Sequence, residues 1–158
     1  MRVTSRIRGG QGFSRKLRQL QERLTEQHRV YVGIPRDAGN SEDGTPLAQI
    51  GAIQEFGAKH IPERSFLREP LLAKRKDLAV VFRQLMPKVA RGELTLLQAL
   101  DQVGAKAASI SQEAISAGIS PANAPSTVKR KGSSKPLIDT GRLRQAITWE
   151  IRHPRDTQ

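Results

Sequence analysis

The chain of 158 residues has few side chains of the types and spacing that perform catalysis. Its three histidines are His28, His60 and His153, and their separations match no metal-binding helix or zinc finger. Cysteine is absent, which excludes disulfides, cysteine-ligated metals and thiol nucleophiles. No serine lies in a nucleophile elbow, and no histidine neighbours a carboxylate as in a catalytic triad. The sequence therefore predicts a protein that is not an enzyme and that uses no cofactor or metal.

Two glycine-containing segments could suggest binding of phosphate or of DNA. Gly9, Gly10 and Gly12 resemble a phosphate-binding loop, but no strand precedes them and no Gly-Lys-Ser follows, so they predict a flexible hinge. Gly104 lies among apolar residues and weakly resembles the turn of a helix-turn-helix motif. The residues after it favour a continuous helix, so the segment does not predict sequence-specific DNA reading.

Positive charge is the main chemical feature that remains. The chain has 27 Lys and Arg against 15 Asp and Glu, a formal charge of +12. Such an excess favours polyanions, although a solvated surface explains it equally well. Residues 1–30 hold eight basic and two acidic side chains, and a compact basic cluster follows near residue 130. The side chains expected to make non-specific contacts with phosphates or with an acidic partner are Arg2, Arg6, Arg8, Lys129, Arg130 and Lys131.

The order of predicted elements indicates an α+β fold, in which a small antiparallel sheet packs with several helices. Residues 1–12 are predicted to form a flexible basic arm, residues 13–152 a single domain, and residues 153–158 a C-terminal tail. Residues 119–136 are rich in Pro, Ser, Ala, Lys and Gly, which predicts a long exposed loop before a C-terminal helix and strand. No apolar run is long enough to span a bilayer and no secretory signal is present, so we expect the chain to stay in the cytoplasm.

Apolar residues at three- and four-residue steps predict the first two helices. Residues 13–27 show this spacing with basic residues off the apolar stripe. Thr45 is expected to cap a second helix, with Pro46 as its first residue, and that helix should end near Gly57.

The same reasoning predicts two longer helices. Pro70 is expected in the first turn of a third helix, which Pro87 should bend or end. Thr95 and Gln98 have the spacing of a capping box at the start of a fourth helix, which Gly118 should terminate.

Two segments have the pattern of strands. Residues 30–34 form a β-branched and aromatic run closed by Pro35. Residues 146–152 alternate apolar and polar side chains, as in a half-buried antiparallel strand. Because these segments lie near opposite ends of the domain, the sheet should join distant parts of the chain.

Two sequence blocks are more specific than these patterns. The first block, residues 53–68, contains Ile-Gln-Glu-Phe-Gly and then Ile-Pro-Glu-Arg-Ser-Phe-Leu-Arg. The second block, residues 136–149, begins Pro-Leu-Ile-Asp-Thr-Gly-Arg-Leu. In the first, Gly57 should let the helix end in a left-handed conformation, Pro62 should stiffen the turn, and Phe66 should anchor it in the core.

The second block is expected to begin a short helix that runs through Gln145. Asp139 or Thr140 should cap its N-terminus, while Leu143 and Ile147 should point inward. Both blocks can therefore serve to build the fold, to form an interface, or both.

Together with the strand at residues 31–35, the two blocks resemble the neck and tail-completion proteins of tailed phages. That group includes the virion-morphogenesis proteins of contractile-tailed phages. In the family, a helix ending in Glu-Phe-Gly leads to a proline-containing turn and an aromatic residue that opens a long helix, and a separate Asp-Thr-Gly-Arg-Leu segment introduces a strand. This chain differs in having Ser65 where a proline is common, and in its long basic N-terminal extension.

The resemblance implies a structural virion protein at the head–tail junction or tail end, acting as a tail-completion, tail-terminator or neck-ring subunit without catalysis. It implies assembly in the bacterial host cytoplasm into a homo-oligomeric ring, with other neck, connector or tail-tube proteins and genomic DNA as partners and no membrane. The motif residues expected to have structural or interface roles are Phe56, Gly57, Pro62, Arg64, Phe66, Asp139, Thr140, Gly141, Arg142 and Leu143. The alternative supported by charge alone is a small DNA-binding regulator or packaging factor without sequence specificity.

Overall fold

The computed structural model describes residues 28–121 and 141–153, together with the helical, exposed positions Arg15 and Arg18. Residues 28–121 and 141–153 form five helices and a two-stranded antiparallel sheet, which confirms the predicted α+β class. The elements are β1 (Arg29–Gly33), α1 (Leu47–Phe56), α2 (Arg68–Ala73), α3 (Arg75–Arg91), α4 (Leu96–Ala117), α5 (Arg142–Gln145) and β2 (Thr148–Arg152).

Several predicted segments lie wholly or mostly outside the described residues. They are the arm at residues 1–12, most of the helix at residues 13–27, most of the loop at residues 119–136, and the tail apart from His153. The predictions for these segments, and the division of the chain into arm, domain and tail, stay predictions.

The sheet joins the two ends of the described fold. β1 and β2 are antiparallel, with Val30 opposite Ile151 and Val32 opposite Trp149. These four side chains are half-buried, whereas Glu150 on the other face is exposed. A two-stranded sheet has little stability alone, and α4 packs against both strands to cover it.

Two apolar clusters hold the fold together, and α4 contributes to both. The first core contains Phe66, Ala108, Ile115 and Ile147, and it lies between the sheet, α4 and the segment before α2. The second core joins α3 to the beginning of α4 through Leu85, Val89 and Ala99. Phe66 is fully buried, as expected from its place in the first block.

The ends of α4 follow from local sequence. The Thr95 hydroxyl accepts a hydrogen bond from the Gln98 backbone N–H at 3.1 Å, and the Gln98 side-chain oxygen accepts one from the Thr95 N–H at 2.9 Å. This capping box is the one predicted, and it satisfies two N–H groups that the helix itself leaves without partners. The helix stops at Gly118, where φ is +97°, also as predicted.

α4 continues without a break through Gly104, which confirms the predicted continuous helix at this position. A Cβ atom at Gly104 would lie 2.3 Å from Cδ1 of Trp149. The indole therefore packs directly on the helix backbone, and its Nε1 donates a hydrogen bond to Asp101 Oδ1 at 2.8 Å. Gly104 is needed for this close approach of β2 to α4.

The start of α1 differs from the prediction by one residue. The residue at the N-cap is Pro46, with ψ of 131°, and no side chain caps the helix. Thr45 is held in the preceding loop, because its N–H donates to Asp43 Oδ1 at 3.0 Å and its carbonyl accepts from the Ser41 N–H at 2.9 Å. These bonds place Thr45 in the loop, one residue before the N-cap of the helix.

The predicted third helix is two helices, α2 and α3, separated at Lys74, whose ψ of 11° opens the helix for one residue. Pro70 lies in the first turn of α2 as expected. Pro87, however, does not end α3, which continues to Arg91. Leu85 and Val89 on either side of Pro87 are buried in the second core, and their packing holds the helix together despite the missing N–H.

Candidate functional site

The first block is organised around Glu55, whose side chain is only 3% exposed. Glu55 follows Leu47 by eight residues and Gly51 by four, so all three lie on one face of α1, and all three are buried. An ionised carboxylate is costly to bury unless hydrogen bonds or charges compensate it. The compensation here comes from the segment that leads into α2.

Five hydrogen bonds converge on the Glu55 carboxylate. The backbone N–H groups of Phe66, Leu67 and Arg68 donate to it at 2.8, 3.0 and 3.0 Å. The Ser65 hydroxyl donates at 2.8 Å and the Arg68 guanidinium at 3.0 Å. Glu55 therefore provides acceptors for N–H groups at the start of α2 that have no partner within that helix.

These bonds also determine the ionisation of Glu55. Burial by itself raises the pKa of this carboxyl group, but the backbone N–H groups of Arg68 and Leu67 and the side chains of Ser65 and Arg68 outweigh it. The net effect is a pKa below the ordinary range for glutamate. Glu55 is therefore a charged structural group near neutral pH, rather than a proton donor.

Arg68 links this buried carboxylate to the surface. Its guanidinium also donates to the Glu55 carbonyl at 3.1 Å and to Glu63 Oε1 at 2.6 Å. It lies over the Phe56 ring, 4.8 Å from the ring centroid. Phe56 is 65% exposed, and Leu72, one helical turn beyond Arg68, is 62% exposed. We call Phe56, Arg68 and Leu72 the Phe56 surface.

The turn after α1 depends on Gly57, which has φ of +73° and ψ of 174°. Its φ is positive, but its extended ψ differs from the left-handed helical conformation expected from the sequence. A Cβ atom there would lie 3.0 Å from the Glu63 nitrogen and 3.1 Å from the Ile61 oxygen. The turn closes through mutual hydrogen bonds between Ala58 and Ile61. Pro62 follows it on the surface.

Arg64 is not a surface contact, since it is only 7% exposed. Its Nε donates to the Pro121 carbonyl at 2.8 Å, and its Nη1 to Gln54 Oε1 at 3.2 Å. Arg64 thus joins α1 to the segment that follows α4. This arrangement supports a structural role rather than direct binding of a partner.

The second block contains the short helix α5. The N-cap of α5 is Gly141, with φ of +76° and no side-chain cap, rather than the predicted Asp139 or Thr140, which lie outside the described residues. Leu143 is 7% exposed, and the exposed Arg142 donates to the Asn40 carbonyl at 3.3 Å. The close tie of Arg142 to the loop before α1 was not anticipated.

A polar groove of about 340 Å³ runs between α4 and α5. Its hydrogen-bonding groups already pair with one another, because Arg144 donates to Ser116 at 2.9 Å and Ser109 donates to Glu113 at 2.7 Å. The groove therefore has no convergent set of unused polar groups that would hold a ligand. Its lining residues are Ser109, Gln112, Glu113, Ser116, Arg144 and Gln145.

The structure brings Phe56, Gly57, Arg64 and Phe66 together around Glu55. It does not describe the predicted cations Arg2, Arg6, Arg8, Lys129, Arg130 and Lys131, whose roles stay predictions. Within residues 28–121 and 141–153, no group of three or more His, Asp or Glu side chains is placed to hold a metal ion. No described helix is long and apolar enough to cross a membrane.

Comparisons with models of known protein families, with curated proteins and with solved structures found no match to this chain.

Proposed function

We propose that the chain is a structural subunit of a tailed-phage particle, located at the head–tail junction or tail end, where it serves as a tail-completion, tail-terminator or neck-ring protein without catalysis. The resemblance of the two sequence blocks is the origin of the proposal. Its main structural support is that the blocks form one unit, because Phe66 of the first block and Ile147 of the second lie in the same buried cluster.

The Phe56 surface supports an assembly role for the first block. Aromatic residues and arginine are enriched at the centres of protein interfaces. Arg68 is already fixed by Glu55 and Glu63, so placing its guanidinium against a partner loses little side-chain freedom. The proposed contact is between neighbouring subunits of a ring, in which the Phe56 surface of one subunit meets a different surface of the next.

The alternative, a DNA-binding regulator or packaging factor without sequence specificity, makes a different prediction about location. A regulator would act as a free monomer or dimer on DNA. A ring subunit would be a component of the finished particle.

The test is deletion of the gene followed by complementation. We expect the deletion to give filled heads together with separate or unstable tails, because a joining protein acts after both halves are largely built. Complementation with Phe56→Ser should fail to restore joined particles. A matched control is Leu97→Ser, which replaces another exposed apolar residue, 46% exposed, at the start of α4.

Both variants should melt at the wild-type temperature, because neither residue is buried. Normal plaques from the deletion, or particles that stop before DNA packaging, would contradict the proposed function. Full rescue by Phe56→Ser would leave the function possible but would rule out the Phe56 surface as a ring contact.

A further inference from the structure

The net positive charge of the described fold is concentrated on one helix. Residues 28–121 and 141–153 contain 15 basic and 11 acidic side chains, an excess of four. α3 alone has one acidic residue, Asp77, and an excess of four as well. The remainder of the described fold is therefore balanced. The five cations of α3 are Arg75, Lys76, Arg83, Lys88 and Arg91.

Three of the five cations lie opposite the buried side of α3, and the other two lie on its flanks. The opposite side carries Lys76, Arg83 and Arg91, and the flanks carry Arg75 and Lys88. Leu85 and Val89 mark the side that packs on α4. Lys76 and Arg83 are seven residues apart, which places them two turns apart on the opposite side, about 10 Å along the helix axis. All five cations are exposed.

Most of this charge is not neutralised by other residues of the described fold. Among the described residues, only one of the five α3 cations forms an ion pair, Arg91 with Glu93. The guanidinium groups of Arg75 and Arg83 donate to backbone carbonyls of Leu72 and Ala79, at 3.1 and 3.2 Å. Such bonds leave the positive charge unpaired and directed to solvent.

We propose that this side of α3 binds the sugar–phosphate backbone of duplex DNA without reading its sequence. A helix of 17 residues is about 25 Å long, enough to follow several phosphates. Long cationic side chains on such a helix contact phosphates without a fixed register. The inference goes beyond the proposed ring, since the charge would attract DNA whether or not the chain assembles.

Duplex DNA fits this surface better than an acidic protein does. Between Lys76 and Arg83, the residues on the outer side are Ala79 and Val80, which offer no large anchor of the kind found at protein interfaces. Phe82 is 37% exposed and lies seven residues after Arg75, so it occupies the flank that this cation shares and does not lie between Lys76 and Arg83.

The experiment measures binding of the full chain to a labelled mixed-sequence duplex over a range of salt concentrations, by fluorescence anisotropy. The test variant combines Lys76→Gln, Arg83→Gln and Lys88→Gln. If each lost cation contacts one phosphate, the slope of log affinity against log salt should fall by about 2 to 3, and the affinity at about 0.1 M salt should fall on the order of a hundredfold.

A matched control removes three exposed cations from the rest of the fold, Arg36→Gln, Lys59→Gln and Lys106→Gln. This variant has the same net charge as the test variant, and it should bind within about threefold of wild type, because long-range attraction is weak at this salt concentration. A charge-conserving variant, Lys76→Arg, Arg83→Lys and Lys88→Arg, should bind like wild type, which guards against an effect of misfolding.

Equal losses in the test and control variants would overturn the inference, because net charge alone would then explain binding. Loss of binding to polyglutamate with unchanged duplex binding would assign the surface to an acidic protein instead. The oligomeric mass of each sample separates this inference from the proposed ring. Loss of duplex binding at unchanged mass supports the inference, whereas loss only when the mass also changes would refute it.

Discussion

Removal of the Glu55 carboxylate should destabilise the fold strongly, although the side chain is polar. In Glu55→Ala, the backbone N–H groups of Phe66, Leu67 and Arg68 lose their acceptor, and the first of these is buried. Leaving a buried donor without a partner costs about 1 to 3 kcal/mol, and less where water can reach it. The expected loss of unfolding free energy is about 3 to 5 kcal/mol, a large part of the stability of a typical domain.

The assay is urea unfolding followed by the fluorescence of Trp149, the single tryptophan of the chain, which packs on α4. In thermal unfolding followed by the same fluorescence, at about 2 to 4 °C per kcal/mol for a chain of this size, the melting temperature should fall by roughly 6 to 20 °C. The control is Glu63→Ala, which removes a carboxylate that also binds Arg68 but is 53% exposed. That change should cost less than about 1 kcal/mol. Equal losses in the two variants would refute the assignment of Glu55 as the organising group.

Three further predictions concern Glu55, Gly104 and Ser111. Because the folded-state pKa of Glu55 is lowered, its contribution to stability should be present above about pH 4.3, the unfolded value, and should disappear as pH falls through the folded pKa. Urea midpoints of wild type and Glu55→Gln should therefore converge in acid, and a constant difference down to the acid-unfolded state would contradict this. In Gly104→Ala the new methyl group would lie 2.3 Å from the Trp149 ring, so the indole should move. The expected result is a changed fluorescence emission and a lower urea midpoint. Emission and a midpoint equal to wild type would show that the close contact is not needed. Ser111 is fully buried, and its hydroxyl has no hydrogen-bond partner among the described residues. Ser111→Ala should therefore leave the free energy of unfolding unchanged or raise it by up to about 1 kcal/mol, measured by urea unfolding. A clear loss of stability would show that the hydroxyl has a partner.

The parts of the fold that sequence could predict are those with local causes. The capping box at Thr95 and the glycine at residue 118 determine the ends of α4 through contacts within a few residues. The alternation in residues 146–152 reflects the two faces of β2 in the same local way. The burial of Phe66 and Leu143 also followed from the sequence, because large apolar residues beside a turn or a short helix have few other places to go.

Predictions were wrong or incomplete where distant parts of the chain decide the outcome. Pro87 was expected to bend or end the third helix, yet α3 continues through it to Arg91, with Leu85 and Val89 packed in the second core. The continuous helix through Gly104 was predicted, but the reason for the glycine was not, because nothing in the nearby sequence shows that Trp149, from β2, packs against it.

Glu55 lies within the first block, but the sequence patterns did not predict its role. Its spacing from Leu47 and Gly51 was a usable signal, since it placed a carboxylate on the buried face of α1. The sequence did not reveal what satisfies that carboxylate, because most of its donors are backbone N–H groups, which every residue except proline has. The basic residues of α3 were also visible in the sequence. That the rest of residues 28–121 and 141–153 carries no net charge became clear only once the structure showed which residues form the fold.

The most direct test of the central claim is to locate the protein in purified phage particles. Mass spectrometry should detect the chain in finished particles, and cryo-electron microscopy should show it as a closed ring at the junction of head and tail or at the end of the tail. Absence of the chain from purified particles, together with a free monomer or dimer in the infected cell, would contradict the account.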